Sequence, residues 1–176
     1  MADIIYRAAR ATDAQTIAAI HVASWRDAYR SILDPAFLAE PVEEDRLSHW
    51  LGKLDTPALN FMVEIASTSD EGLVGFVATH RDLDRRWGSL VDNLHVRPEM
   101  RGRKIGEALL RSAARKLAAQ QAGNGLYLWV FEANEAALRF YERMGGQVVE
   151  QAISQIPAAN GRTILRVHWP TLSDLC

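Results

Sequence analysis

A chain of 176 residues, 48% apolar and 24% charged, can bury one sizeable core, so one domain spanning 1–176 is expected. With 20 Lys and Arg against 22 Asp and Glu, the net charge of −2 excludes the broad basic footprint of a general nucleic-acid binder. No apolar run approaches the ~20 residues of a membrane helix, and the single cysteine, Cys176, excludes an intrachain disulfide or a cysteine metal cluster. No secretory or lipidation pattern is visible, so a cytoplasmic location is the expectation.

Residues 4–9 read as a first strand. Thr12 with Gln15 three residues on is a capping-box pattern, and Ile17, Ile20, His21, Ser24, Trp25, Ala28 and Tyr29 then recur at helical spacing to about Ser31. Asp34-Pro35 is expected to break that helix, and a second amphipathic helix over 43–51 places Leu47, Trp50 and Leu51 on one face. Strands at 60–66 and 72–80 flank the polar turn 67–71 as a hairpin, and the polar stretch 81–86 connects to a strand at 89–96. Ile105, Ala108, Leu109, Ser112, Ala113 and Leu117 mark the next helix, stopped by Gly123-Asn124-Gly125. The apolar run 126–131 predicts a strand covered on both faces. Asn134 caps a helix whose inward residues are Ala137, Leu138, Tyr141 and Met144 and which ends at Gly145-Gly146. Strands at 147–156 and 163–169 flank a reversal marked by Asn160-Gly161. The order is that of one mixed α/β domain.

The most informative stretch is the strand, basic turn and helix running from Leu94 to Leu110. Unpaired amides at the positive end of a helix dipole, with Arg101, Arg103 and Lys104 beside them, suit an anionic phosphate group. The plainer readings are a helix start with solvated arginines, or a nucleic-acid groove.

Three blocks in order, at 92–110, 126–131 and 134–145, make the chain resemble the GNAT superfamily of N-acetyltransferases. These proteins move the acetyl group of acetyl-CoA to an amine, and the resemblance covers nearly the whole chain. It implies a central mixed, mostly antiparallel sheet of about seven strands, splayed between the fourth and fifth and flanked by about four helices. It also implies direct attack of a primary amine in a ternary complex, with acetyl-CoA as cosubstrate and no metal. The family's Q/R-x-x-G-x-G/A signature falls on Arg101, Gly102, Arg103, Lys104, Ile105 and Gly106, with Lys104 where glycine is usual. A left-handed backbone at Lys104 would cost about 1–2 kcal/mol, whereas an ordinary helical one would leave its N–H facing the phosphate without strain. The cofactor-binding set implied by the resemblance is completed by Leu94, His95, Val96, Asn134, Ala137 and Tyr141.

An acetyl thioester is already activated, so the reaction needs a deprotonated amine, a stabilised oxyanion and a protonated leaving thiolate. Tyr141 is the candidate acid, against the alternative of a core aromatic beside Phe140. Asn134 could cap its helix, contact the pantetheine arm, or do both. The resemblance implies a strand bulge that aims a backbone N–H, best assigned to Leu94, at the thioester oxygen. Asp92 is the first candidate for the base, unless alternation turns it to solvent, and His95 is a competitor whose position between Leu94 and Val96 points it to the other face. Trp25 and Tyr29 either wall an acceptor pocket or pack in the core. A small-molecule amine acceptor is favoured; a protein or peptide acetylase and a non-catalytic CoA sensor are the alternatives. A homodimer could form along Ile153, Ile156, Ile164, Leu165 and Val167.

Overall fold

The computed structural model describes residues 3–123 and 125–176; Asn124 of the expected helix stop, and Met1-Ala2, lie outside the described residues. In chain order the elements are β1 (Ile5–Ala8), α1 (Ala14–Ala28), α2 (Pro35–Ala39), α3 (Pro41–Asp55), β2 (Phe61–Thr68), β3 (Gly72–Asp84) and β4 (Gly88–Val96). There follow α4 (Ile105–Ala119), β5 (Leu126–Phe131), α5 (Glu135–Arg143), β6 (Gln147–Ile153) and β7 (Thr163–Trp169). The seven strands form one sheet in the order β1-β2-β3-β4-β5-β7-β6. Every neighbouring pair is antiparallel except β4 and β5, which run parallel and pair only at Ser89 with Leu126 and Leu90 with Tyr127. Beyond those two positions the strands part, so the mixed sheet splayed between its fourth and fifth strands matches the expected architecture.

Gly125 fixes where the splay begins. Its φ is +92°, and a Cβ there would lie 2.2 Å from the Trp169 carbonyl oxygen, so only glycine fits; its own carbonyl accepts the Ser89 N–H at 3.0 Å. β4 and β5 are thereby stitched at their first residues and free at their last.

The helices cover the sheet in two layers. On one side α4 buries Leu109, Leu110, Ala113 and Leu117 against Val74, Val77, Val91, Leu126, Leu128, Val130 and Trp169. On the other side α1 and α3 bury Ile17, Ile20 and Trp50 against Ile65, Phe76 and Ala78, and a third cluster joins Val22, Trp25, Leu33, Leu38 and Val42 to Phe131. Each fully buried Leu, Val or Phe contributes about 1.5–3 kcal/mol of hydrophobic transfer. The apolar run of β5 is explained by this double covering, because Leu128 faces α4 while Phe131 faces α1 and α2. Among the described residues, no helix is long and apolar enough to cross a membrane.

Several local expectations are corrected. The first helix is entered through Asp13, not a Thr12–Gln15 box: the Asp13 carboxylate accepts from the Arg10 backbone N–H at 2.7 Å and from the Arg7 guanidinium at 2.8 and 2.9 Å. That helix ends at Ala28, and Asp34-Pro35 starts rather than breaks a helix, with Asp34 accepting from the Ala36 N–H at 2.8 Å and Pro35 at the first helical position. The helix expected at 43–51 runs Pro41–Asp55, and its Leu51 is exposed while Trp50 is fully buried. The stretch 81–86 is not a connector throughout, because β3 extends to Asp84. At the chain's end, Val167 is fully buried, Leu165 packs on the α4-side core, Ile156 and Ile164 pack on the third cluster, and only Ile153 of the expected dimer edge is exposed.

Candidate active site

The site grows from a bulge in β4. Ala78 pairs with Asn93 but Thr79 pairs with Val91, so Asp92 is the extra, unpaired residue. The bulge changes the alternation: Val91 and Leu94, three residues apart, both face the α4-side core, joined there by Val96. His95 consequently faces α1, and Asp92 stands exposed just past the last β4–β5 pair, at the mouth of the splay.

At the far end of β4 a short turn, Pro98–Met100, is anchored by the buried Met100 and delivers the chain to the start of α4. Gly102 has φ +78°, and Lys104, the residue before the helix, has φ +61° and ψ 13°, a left-handed conformation. The sequence left the Lys104 backbone open between two conformations, and the structure shows the strained one. No side chain caps α4, so the first amides of a 15-residue helix have no capping partner while Arg101, Gly102, Arg103 and Lys104 are all exposed. Ile105 is fully buried and pins the first turn, and Gly106 lies against Val96 and Phe140. Uncapped amides with three cations beside them fit a diphosphate. Arg101 also forms an ion pair with Asp27 of α1, a contact that sequence reasoning missed because it joins residues distant in the chain.

On the other bank of the splay, Asn134 Oδ1 accepts the Ala137 N–H at 3.3 Å and so caps α5. The Tyr29 phenol lies beside the Asn134 side-chain amide, and burial pushes its pKa up to about 12 against the lowering effect of Asn134. Tyr29 meets Phe131 edge-on, with ring centroids 5.1 Å apart, and Trp25 at 5.8 Å. Tyr141 packs against Phe140 and Trp169, and burial, reinforced by Tyr29, raises its phenol well above the usual tyrosine range. Both phenols therefore remain protonated at neutral pH and can donate. The structure thus brings Tyr29, Asn134 and Tyr141 together.

His95 lies elsewhere. Its Nδ1 is 2.9 Å from Ser24 Oγ, and its ring is 4.4 Å from that of His21. Burial, with Arg101 and Arg46 nearby, depresses its pKa to about 3. His21 is fully buried and its Nδ1 accepts from Trp50 Nε1 at 3.0 Å, so the neutral ring carries its proton on Nε2. This pair of imidazoles packs beneath α1, with the side chain of His95 turned away from the core that holds Leu94 and Val96.

Two further histidines lie near Asp92, His80 in contact and His49 within electrostatic reach, and neither was singled out from the sequence. His80 Nε2 of β3 lies 3.6 Å from Asp92 Oδ2. His49 of α3 is held below the usual histidine pKa chiefly by burial and then by Arg46, with Asp92 acting in the opposite direction. The alternation of β3 with β4 could have indicated His80; nothing local could have indicated His49.

A family model for the acetyltransferase (GNAT) family matches residues 20–146. An uncharacterized N-acetyltransferase of Methanocaldococcus jannaschii is 32% identical over 100 residues, a match that covers 54% of this chain and only 42% of that protein. Among solved structures, the PaiA N-acetyltransferase of Thermoplasma acidophilum in complex with coenzyme A superposes with a TM-score of 0.75 at 19% identity, covering 95% of this chain and 99% of the other. NAA60 of Arabidopsis thaliana in complex with a bisubstrate analogue superposes at 0.71 with 20% identity, covering 95% and 98%. Because the family model spans well over half of the chain and the fold superposes on GNAT structures, the chain belongs to the GNAT acetyltransferase family.

Proposed function

We propose that the protein transfers the acetyl group of acetyl-CoA to a primary amine, with a small-molecule acceptor favoured. The observation that carries this reading is the parting of β4 and β5 after Leu90 and Tyr127, with the basic turn 101–106 at the end of one strand and Asn134 and Tyr141 past the end of the other. The coenzyme A and bisubstrate complexes of structurally similar proteins support the choice of cosubstrate.

In this reading the amides of residues 102–106, with Arg101, Arg103 and Lys104, hold the diphosphate, and the backbone of Leu94, His95 and Val96 runs along the pantetheine arm. Asn134 and Ala137 line the other bank. Leu94 N–H faces the thioester oxygen, where it stabilises the developing oxyanion. The acceptor ammonium loses two N–H protons as the N–C bond forms and the C–S bond breaks. One passes through Asp92 to solvent, and the other replaces the proton that Tyr141 gives to the departing sulfur. Trp25 and Tyr29 wall the acceptor side. Tyr29 closing onto Phe131 and Asn134 narrows that wall, which favours a small amine over a peptide.

Thiol release from acetyl-CoA, screened over small amines, amino acids, polyamines, aminoglycosides and peptides, tests this reading. Turnover with a small amine is expected, and Tyr141→Phe should lower kcat by about a hundredfold or more with acetyl-CoA affinity retained. Turnover with peptides only would shift the acceptor class. Tight acetyl-CoA binding with no thiol release from any amine would leave the protein a CoA sensor.

A further inference from the structure

Asp92 is not an isolated carboxylate at the bulge. His80 from β3 contacts it at 3.6 Å, and His49 from α3 and Tyr127 from the first pairs of β5 lie within its electrostatic reach. His80 is held in place by Phe61 of β2, ring centroids 4.7 Å apart, and Lys53 of α3 covers the other contact of that phenyl ring. Resting on the acetyltransferase reading above, we infer that His80 is a positioning residue, which orients the Asp92 carboxylate by donating from Nε2 so that the second carboxylate oxygen faces the acceptor amine.

The geometry favours this division of labour. The imidazole sits on the same face of the β3–β4 hairpin as Asp92, since its cross-strand partner Leu90 lies two residues before Asp92 on β4 and the His80 Nε2 to Asp92 Oδ2 distance is 3.6 Å. At 3.6 Å the pair is just outside hydrogen-bond distance, as acid–base pairs commonly are before substrate closes the site. A neutral ring is required for one nitrogen to donate while the ring adds no charge of its own. Burial and Lys53 hold His80 toward the neutral form, while Asp92 opposes them. The other charged groups facing the cluster are Arg46 and Asp45 of α3, which act on His49 with Lys53, and Asp84 and Arg166, which act on Tyr127. Proton balance is unchanged: Asp92 takes the ammonium proton and returns it to solvent, and His80 keeps its own.

Histidine NMR on the full chain reads the pairing without any acceptor. The His80 titration midpoint should fall by about one pH unit in Asp92→Asn, because the ring loses the anion that favours its charged form. An unchanged midpoint overturns the inference. Kinetically, His80→Ala should lower kcat about ten- to a hundredfold for any amine the screen finds, with the acetyl-CoA KM unchanged. The acidic limb of kcat/KM should move to higher pH, and His80→Gln, which keeps a donor, should recover most of the rate. Wild-type kcat and an unshifted acidic limb in His80→Ala would also overturn it. Failure of the wild-type chain to bind acetyl-CoA would instead refute the acetyltransferase reading while leaving the NMR result for the pair standing.

Discussion

The two faces of the sheet are built on different terms. The α4 face is largely apolar from Val74 to Trp169, whose buried Nε1 donates to the Met144 carbonyl oxygen at 2.9 Å, and it carries one buried carboxylate, Glu64, paired with Lys116 of α4 at 2.7 Å. The α1–α3 face has comparable large side chains, Trp50 and Phe76 among them, but interleaves them with His21, Ser24 and His95 and leaves His49 Nε2 and His21 Nε2 buried without a hydrogen-bond partner among the described residues. Polar groups out of water are costly unless they are paired, so the two faces should respond differently to solvent and to pH. Asp92, His80 and the Tyr29 wall all belong to the polar face, while the α4 face packs Val91, Leu94 and Val96 of β4 against Leu109, Leu110 and Ala113. The buried imidazoles lie on one face, and most of the apolar packing lies on the other.

The largest effect separating the faces should come from Trp169→Ala, which removes a fully buried indole and its bond to Met144. Urea denaturation should show a loss of about 3–5 kcal/mol. A smaller loss would mean that the α4 face repacks around the lost indole.

The acid response of the polar face comes next. Unfolded histidine takes up a proton as pH falls through about 6.5, whereas folded His95 does so only near pH 3 and folded His21 well below its ordinary value. The unfolded chain therefore binds more protons in this window, so stability is fully present above about pH 6.5 and declines as pH falls toward the folded values. The slope approaches about 1.4 kcal/mol per pH unit for each imidazole. Denaturation curves between pH 7 and pH 5 should show this decline, and His95→Gln should flatten it. A pH-independent stability in that range would erase the distinction between the faces.

The smallest expected effect lies at the turn that joins them. Lys104→Gly relieves a left-handed non-glycine residue and should raise stability by about 1 kcal/mol, read as a rise of about 2–4 °C in Tm. Unchanged Tm would show that the Lys104 side chain makes a compensating contact.

Much of this architecture was legible because it is local. The apolar run 126–131 and the run 163–169 gave the observed strands β5 and β7 residue for residue, and Asn134 capped its helix as expected. The basic turn lay where strand, glycine and helix signals adjoin. The errors were also local in origin: a Thr12–Gln15 pattern competed with Asp13, whose carboxylate had a better partner in Arg7, and the polar side chains of 81–84 concealed a strand whose pairing is with β4. Asp34-Pro35 illustrates that the same dipeptide can end one helix or cap the next, because only the backbone on either side distinguishes the two.

By itself the sequence determined most of the elements, α2 excepted, together with the mixed α/β class, the basic helix start and the family, since hydrophobic period, capping chemistry and motif spacing are properties of neighbouring residues. Only the tertiary structure decided that Lys104 is left-handed, that Arg101 meets Asp27, that Tyr29 lies beside Asn134, and that His80 contacts Asp92 with His49 within its electrostatic reach. Those facts depend on strand register, on a bulge that reverses alternation, and on which helix face lands on which strand. Such relations are set by packing across the whole molecule and leave no mark on adjacent residues.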